Sequence, residues 1–433
     1  MTTLVDFPVK PEARPYLEAA RERTGEPEWL AQLRRRNLAR FAEQGFPSRR
    51  GEAWRYLDLR PLEAAPLLPI AAKAALPRTI LDRAGLPNSR HRLVLVDGRF
   101  APELSALAGF PAGLTLGSAA ALPERLRDAL ESPATGPDRS FAALNTAFFT
   151  DGFVLEAAPG TILDEPIEIL HLASGAASGS LHTRSLVALG KGSRAQLVES
   201  FAGEGRYWRN DVVAVELGAG AVLGRVVLVD EAADAMHFGD LSATLGRASR
   251  LDNFTLLLGG RTLRHEMAVR IEGDGAHCGL QGGFLASDRQ EANFVTTVEH
   301  MAEGGETREV FKGVAAGRAH GAFQGRITVR PGAQKTDAHM LSRNLLLGHR
   351  AAIDTKPELE IFADDVKCSH GAAVGDLDET ALFYLLARGI PREAARRMLI
   401  EAFISEAVET VEPPSVREHL MARLARRLDA LEE

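Results

Sequence analysis

From Phe153 to about Ala373 the chain alternates apolar and polar residues at period two, and short glycine-containing turns interrupt the alternation. Segments such as SLVALGKGSRAQLVESF, VVAVELGAGAVLGRVVLV and LSATLGRASRLDNFTLLL each give one strand, one turn and one strand. The apolar residue just before the turn recurs at Leu189, Leu217, Leu245, Ile271, Val298, Val329 and Ile361, a spacing of roughly 26 to 32 residues. Such a unit cannot bury its apolar face alone. Stacked as coils, the units pair strand on strand and share one core.

The flanks carry a different period. From Pro11 to Gly45, residues Leu17, Ala20, Trp29, Leu30, Leu33, Leu38 and Phe41 fall near helical spacing, which predicts two helices stopped at Gly25 and Gly45. The run Arg34-Arg35-Arg36 on that pattern is expected to be a solvated helix face. Trp54 and Tyr56, in GEAWRYLDL, are expected to be packing anchors. Ala64 to Gly85 reads as a connecting segment, Arg92 to Phe100 as a strand ending in an Asp-Gly turn, and Leu122 to Glu131 as a short helix. Ser140 to Phe149 leads into the first rung.

Beyond Ala373, Asp378 is placed to cap a helix that Gly389 stops, and Pro391 opens another. After Pro413-Pro414, Val416, Leu420, Leu424, Leu428 and Leu431 form an apolar stripe. These helices either cap the exposed end strand of the solenoid or present a docking face. The expected organisation is a helical region with a linker over 1–90, a β-helix core over 91–373 and a helical region over 374–433.

At 433 residues the chain can build a large core without staples, and a formal charge of -7 argues against a nucleic-acid or anionic-membrane binder. Two cysteines far apart, Cys278 and Cys368, give no disulfide framework. With no apolar run long enough for a span and no signal pattern, a cytoplasmic protein is expected.

The densest chemistry is Asp364-Asp365-Val366-Lys367-Cys368-Ser369-His370-Gly371. On a strand, Cys368 and His370 face one side about 6.6 Å apart and could converge on iron, zinc or copper. Two donors do not close a tetrahedral site, so others would come from a second chain or a bound sulfide. A buried thiol beside a surface histidine fits the spacing too, and a nucleophilic Cys–His pair is a third reading that lacks an orienting group and oxyanion donors. Cys278 is expected to be a small core residue, with His277 facing the other way. GAGAVLG, from Gly218 to Gly224, is a turn rather than a phosphate loop, because a strand follows it. A carbohydrate-active β-helix enzyme would need aromatic platforms and paired carboxylates. Only 6% of residues are aromatic, and the acids of the body are expected mostly at turns.

GEAWRYLDL, QKTDAHMLSRNLLLG and above all ELEIFADDVKCSHGAAVGDLDETALFYLLARGI resemble the SufB/SufD family of the SUF iron–sulfur cluster assembly system, on its SufD side. The likeness runs over essentially the whole chain. It implies a mainly β protein, a right-handed parallel β-helix between helical regions, acting as a scaffold rather than an enzyme. It further implies a SufB-like partner at the last coils and a SufC-like ATPase, which would hydrolyse the ATP, at the C-terminal helices. On this resemblance His370 is a ligand of a nascent, transient cluster shared with SufB, and Cys368 is its neighbour with a supporting or ligand role. No nucleotide is expected on this chain, and a homodimer is expected to be accessible in isolation. A SufB-like chain should carry a cysteine near Ala351 and Ala352, where LLLGHRAAIDT has none.

Overall fold

The computed structural model describes residues 9–21, 23–72, 74–121, 124, 127, 130 and 139–429. Its strands are β1 (His91–Val96), β2 (Arg99–Phe100), β3 (Leu114–Ser118), β4 (Phe153–Ala157), β5 (Ile167–Ala173), β6 (Gly179–Leu189), β7 (Arg194–Gly203), β8 (Tyr207–Leu217), β9 (Val222–Asp230) and β10 (Met236–Leu245). They continue as β11 (Arg250–Gly259), β12 (Thr262–Ile271), β13 (His277–Ala286), β14 (Glu291–His300), β15 (Glu306–Ala316), β16 (His320–Val329), β17 (Asp337–Leu347), β18 (Ala352–Ile361) and β19 (Lys367–Gly375). The helices are α1 (Arg14–Ala19), α2 (Glu28–Gln44), α3 (Arg60–Ala64), α4 (Arg78–Ala84), α5 (Ser140–Phe148), α6 (Glu379–Ala387), α7 (Arg392–Val408) and α8 (Pro414–Asp429).

The period-two body closes into a parallel β-helix of about 8 turns with two walls. Even-numbered strands from β4 to β18 stack in one sheet, and β1 with the odd-numbered strands from β5 to β19 stack in the other. Each coil crosses between the sheets at tight corners, one of them the predicted turn at Gly220, whose φ of 66° an L side chain rarely adopts. Leu189, Leu217, Leu245 and Ile271 lie in one inward column, as the repeat requires. The next place in that column belongs to His300, not Val298, and Val329 and Ile361 follow it. Both residues face inward, so a two-residue slip preserves the hydrophobic pattern while shifting the register.

The two ends of the solenoid differ. At the start, β3 pairs antiparallel with β4, and β2 folds back on β1 through Asp97-Gly98, so the Asp-Gly turn makes a hairpin within the segment expected to end there. At the finish, β18 and β19 are the last strands of their sheets.

Helices α7 and α8 pack against the outer face of the odd sheet, with Val416, Leu420, Leu424 and Leu428 buried against residues such as Phe254, Leu256 and Leu285. They therefore do not cap the solenoid, because their apolar stripe is spent on its side wall. Asp378 caps α6 through the backbone N–H groups of Thr380 and Ala381. Leu431 lies outside the described residues, as does most of the helix expected from Leu122 to Glu131.

The N-terminal helices cover the other wall. Trp54 packs T-shaped on Phe141 at 5.2 Å, with the Arg264 guanidinium 3.9 Å over its ring, and is the anchor that was expected. Three expectations change. Ala64 to Gly85 holds α4, whose Ile80 and Ala84 are buried. Ser140 to Phe148 forms α5, a helix packed under α2. Arg34 is buried rather than solvated, bonded to Glu26 and to the carbonyls of Thr146, Ala147 and Phe149, because α2 lies directly on the C-terminal end of α5.

The acids of the body are also not confined to turns. Glu199–Arg225 and Glu231–Arg209, each at 2.6 Å, lie inside the solenoid with essentially no exposure. Arg209 and its neighbours hold the Glu231 carboxyl down at about 2 against the opposing effect of burial. Alternation makes a strand residue inward whatever its polarity, so these charges are tolerated only because they meet partners on other strands.

Candidate site at the open end of the solenoid

In a parallel stack without bulges, each residue sits above its register partner on the coil below, so the last coil inherits its inward positions from β17. Ala338 and Met340 of β17 are buried in the core. Cys368 pairs with Ala338 and His370 with Met340, so both share one face, as their spacing predicts, and that face is the inward one. Cys368 is half-buried and packs on the core rim, whereas His370 is exposed. His370 has no ionic or hydrogen-bond partner among the described residues. An inward side chain is exposed here for one reason: no coil follows.

Two ladders extend below the pair. Cys368 stands over Ala338, Thr307 and Cys278, and His370 stands over Met340, Glu309 and Leu280. The two cysteines of the chain thus occupy one inward column three coil steps apart, about 14 Å at the usual strand spacing. Cys278 is fully buried, as a small core residue should be, and His277 faces outward between Asp252 and Glu306. Coil lengths of about thirty residues separate the members of this column. Counting the register coil by coil would have disclosed it, whereas the period of the repeat alone does not.

Electrostatics set the chemistry of the pair. Burial raises the Cys368 thiol above its ordinary range, and Asp337 adds to the shift against a backbone hydrogen bond at Ala338. In the isolated chain it is therefore a protonated thiol, and a cation must arrive to make it a thiolate ligand. Outside the coil, His339 Nδ1 lies 2.5 Å from Ser369 Oγ and its Nε2 lies 2.8 Å from Asp337 Oδ1, which fastens β19 to β17. No group of three or more His, Cys, Asp or Glu able to hold a metal occurs among the described residues. A sulfur and an imidazole at one edge can supply two corners of a tetrahedral metal site, and no more.

The rim suits a protein partner. Ile361, Phe362 and Val374 are exposed around the open end. β18 presents charged Lys356, Glu358 and Glu360 outward, and Pro357 removes one edge N–H, which suppresses indiscriminate strand pairing. β19 has no such guard over Gly371 to Gly375. Phe383 and Tyr384 on α6 and Met398 on α7 are also exposed apolar side chains. No helix among the described residues is long and apolar enough to cross a membrane.

Comparison with known proteins matches residues 171–403 to the SufBD core domain of SUF system FeS cluster assembly, and residues 18–169 to the SufBD protein N-terminal region. The chain is 29% identical over 398 residues to the iron-sulfur cluster assembly protein SufD of Escherichia coli (strain K12), covering 90% of this chain and 92% of that protein. It is 31% identical over 307 residues to an iron-sulfur cluster assembly SufBD family protein of Mycobacterium bovis, covering 68% and 76% respectively. Against the chloroplastic protein ABCI7 of Arabidopsis thaliana it is 28% identical over 401 residues, covering 90% and 84%.

Proposed function

Because the chain belongs to the SufBD family, is of the SufD type and has a role in iron–sulfur cluster assembly, we propose that it acts there as a non-catalytic scaffold subunit. Its open last coil meets a SufB-type paralogue, and the nascent cluster is held between the two chains. The observation that carries this reading is the inward placement of Cys368 and His370 on the one coil without a successor. His370 serves as a direct ligand because its imidazole is exposed and unengaged. Cys368, two residues away on the same strand and half-buried, supports it or ligates when a cation lowers the pKa of its thiol.

The cluster is cargo, and this chain supplies at most two of its ligands. The remaining ligands, sulfide included, come from the partner side. A SufC-type ATPase docks on the exposed side chains of Phe383, Tyr384 and Met398, and ATP hydrolysis belongs to that partner.

The test is reconstitution with SufB-type and SufC-type partners. His370→Ala is expected to lower cluster yield several-fold while leaving the ternary complex intact by mass. Undiminished yield would remove the ligand assignment. Replacing Phe383 and Tyr384 with glutamate should release the ATPase without loosening the solenoid, and retained binding would move that interface elsewhere.

A further inference from the structure

Away from the last coil, the end of α8 crosses the turn after β9 and meets α4, and arginines from both helices gather there. Asp230, the buried last residue of β9, accepts Arg423 Nη2, and accepts Arg427 Nε at 2.8 Å. The approach requires Gly259, since a Cβ there would collide with Arg427 and Asp230. The next acid, Glu231, turns into the solenoid toward Arg209 and Tyr207 and gives this surface no charge. Arg83 and Arg426 face the same pocket. Arg83 makes a single 3.4 Å contact, to the carbonyl of Gly203, and Arg426 has no partner among the described residues. Four guanidinium groups and the Asp230 carboxylate thus border a pocket of about 340 Å³.

A structural clamp between α8 and β9 accounts for Asp230, Arg423 and Arg427. It leaves Arg83 and Arg426 unexplained, for like charges brought together without counterions destabilise a fold. Burial first, and then Arg426, Arg83 and Arg427, push Arg423 down to about 10. Arg83, Arg423 and Arg426 also line an adjoining hollow of about 670 Å³, beside the buried and unpartnered Nε2 of His419. Its acids are Asp82, Glu418 and Glu165, the last already paired with Arg90.

We infer that Arg83 and Arg426, backed by Arg423, form a binding site for a phosphate-class oxyanion. Planar guanidinium forks match phosphate oxygens in bidentate geometry, and a concave setting between two helices and the strand ends of β7 and β9 favours a compact polyvalent anion. The shared chemistry is the phosphate group, whether free phosphate, pyrophosphate or the diphosphate of a nucleotide.

The full chain would be titrated calorimetrically with inorganic phosphate, pyrophosphate, ADP and adenosine at constant ionic strength set with potassium chloride. Saturable binding of pyrophosphate is expected, with none of adenosine. The double variant R83A/R426A should weaken it by about a hundredfold, at about tenfold for each guanidinium–phosphate interaction removed. Both side chains are exposed, so circular dichroism and unliganded melting should match the unaltered chain, and R350A serves as a charge control that binds normally. ADP binding equal to pyrophosphate assigns the site to phosphate alone, and tighter ADP binding assigns it to a nucleotide. Absence of saturable pyrophosphate binding, or undiminished binding in the double variant, overturns the site.

Discussion

Glu309 offers the sharpest test of the inward ladder. Its carboxyl lies inside the solenoid between Leu280 and Met340, two strands below His370, with about 1% exposure. One oxygen accepts a hydrogen bond from Thr296 Oγ1 at 2.7 Å, and the other has no partner among the described residues. Burial pushes the carboxyl up to about 8, from an ordinary value of 4.5.

Between those values the folded chain keeps a proton that the unfolded chain has released. Folding stability from this group is therefore intact below about pH 4.5 and declines as pH rises to about 8, where the cost levels off. A shift of about 3.5 units corresponds to about 5 kcal/mol at most, and relaxation of the coil reduces what is observed to about 2–4 kcal/mol. Glu309→Gln keeps the acceptor for Thr296 and abolishes the titration. Urea denaturation of both chains from pH 5 to 9 would show curves that coincide near pH 5 and separate steadily above it, with the variant more stable at pH 8. Taking the difference cancels every other titrating group. Parallel pH profiles would show that the carboxyl is ionised and solvated, and would refute the inward placement.

Four further outcomes are expected. Burial lowers His300 to about 4, so its contribution is lost as pH falls from about 6.5 toward 4, by up to about 3 kcal/mol, and His300→Gln should flatten that acid limb in the same denaturation assay. Asp230→Ala strands the buried Arg423 and should cost about 3–5 kcal/mol by chemical denaturation, with faster amide exchange in α8. Trp54→Ala should lower stability by about 3–5 kcal/mol, because the ring fills the space between Phe141, Phe238 and Arg264. Gly273→Ala drives a methyl group into the backbone of Arg247 on the coil below, and should lower the melting temperature by about 1 °C for each kcal/mol of strain.

The contrast between Val298 and His300 illustrates how much of the solenoid was legible. Alternation marked both as wall residues, but only the hydrogen-bonded register with Ile271 picked His300 for the column. Arg34 illustrates the same limit on a helix. Its neighbours in sequence are charged, so the local pattern predicted solvent, and only the end of α5, about 110 residues away in the chain, supplied the carbonyls that bury it. Similarly, Glu199, Glu231 and Glu309 carry nothing local that announces an inward charge, because what makes each tolerable is a partner on another strand.

The sequence by itself determined the coil, its two-residue alternation, its turns and the pairing of Cys368 with His370 on one face. Those features depend on neighbours within a few residues, where strand geometry leaves little choice. Tertiary structure alone decided that the C-terminal helices lie along the wall and leave the end uncovered. It also decided that the two cysteines share one column, and that four arginines gather around one pocket beside Asp230. Each of these depends on which surfaces remain after the coils have stacked. That is a property of the sum of many weak contacts, and no single stretch of the chain carries it.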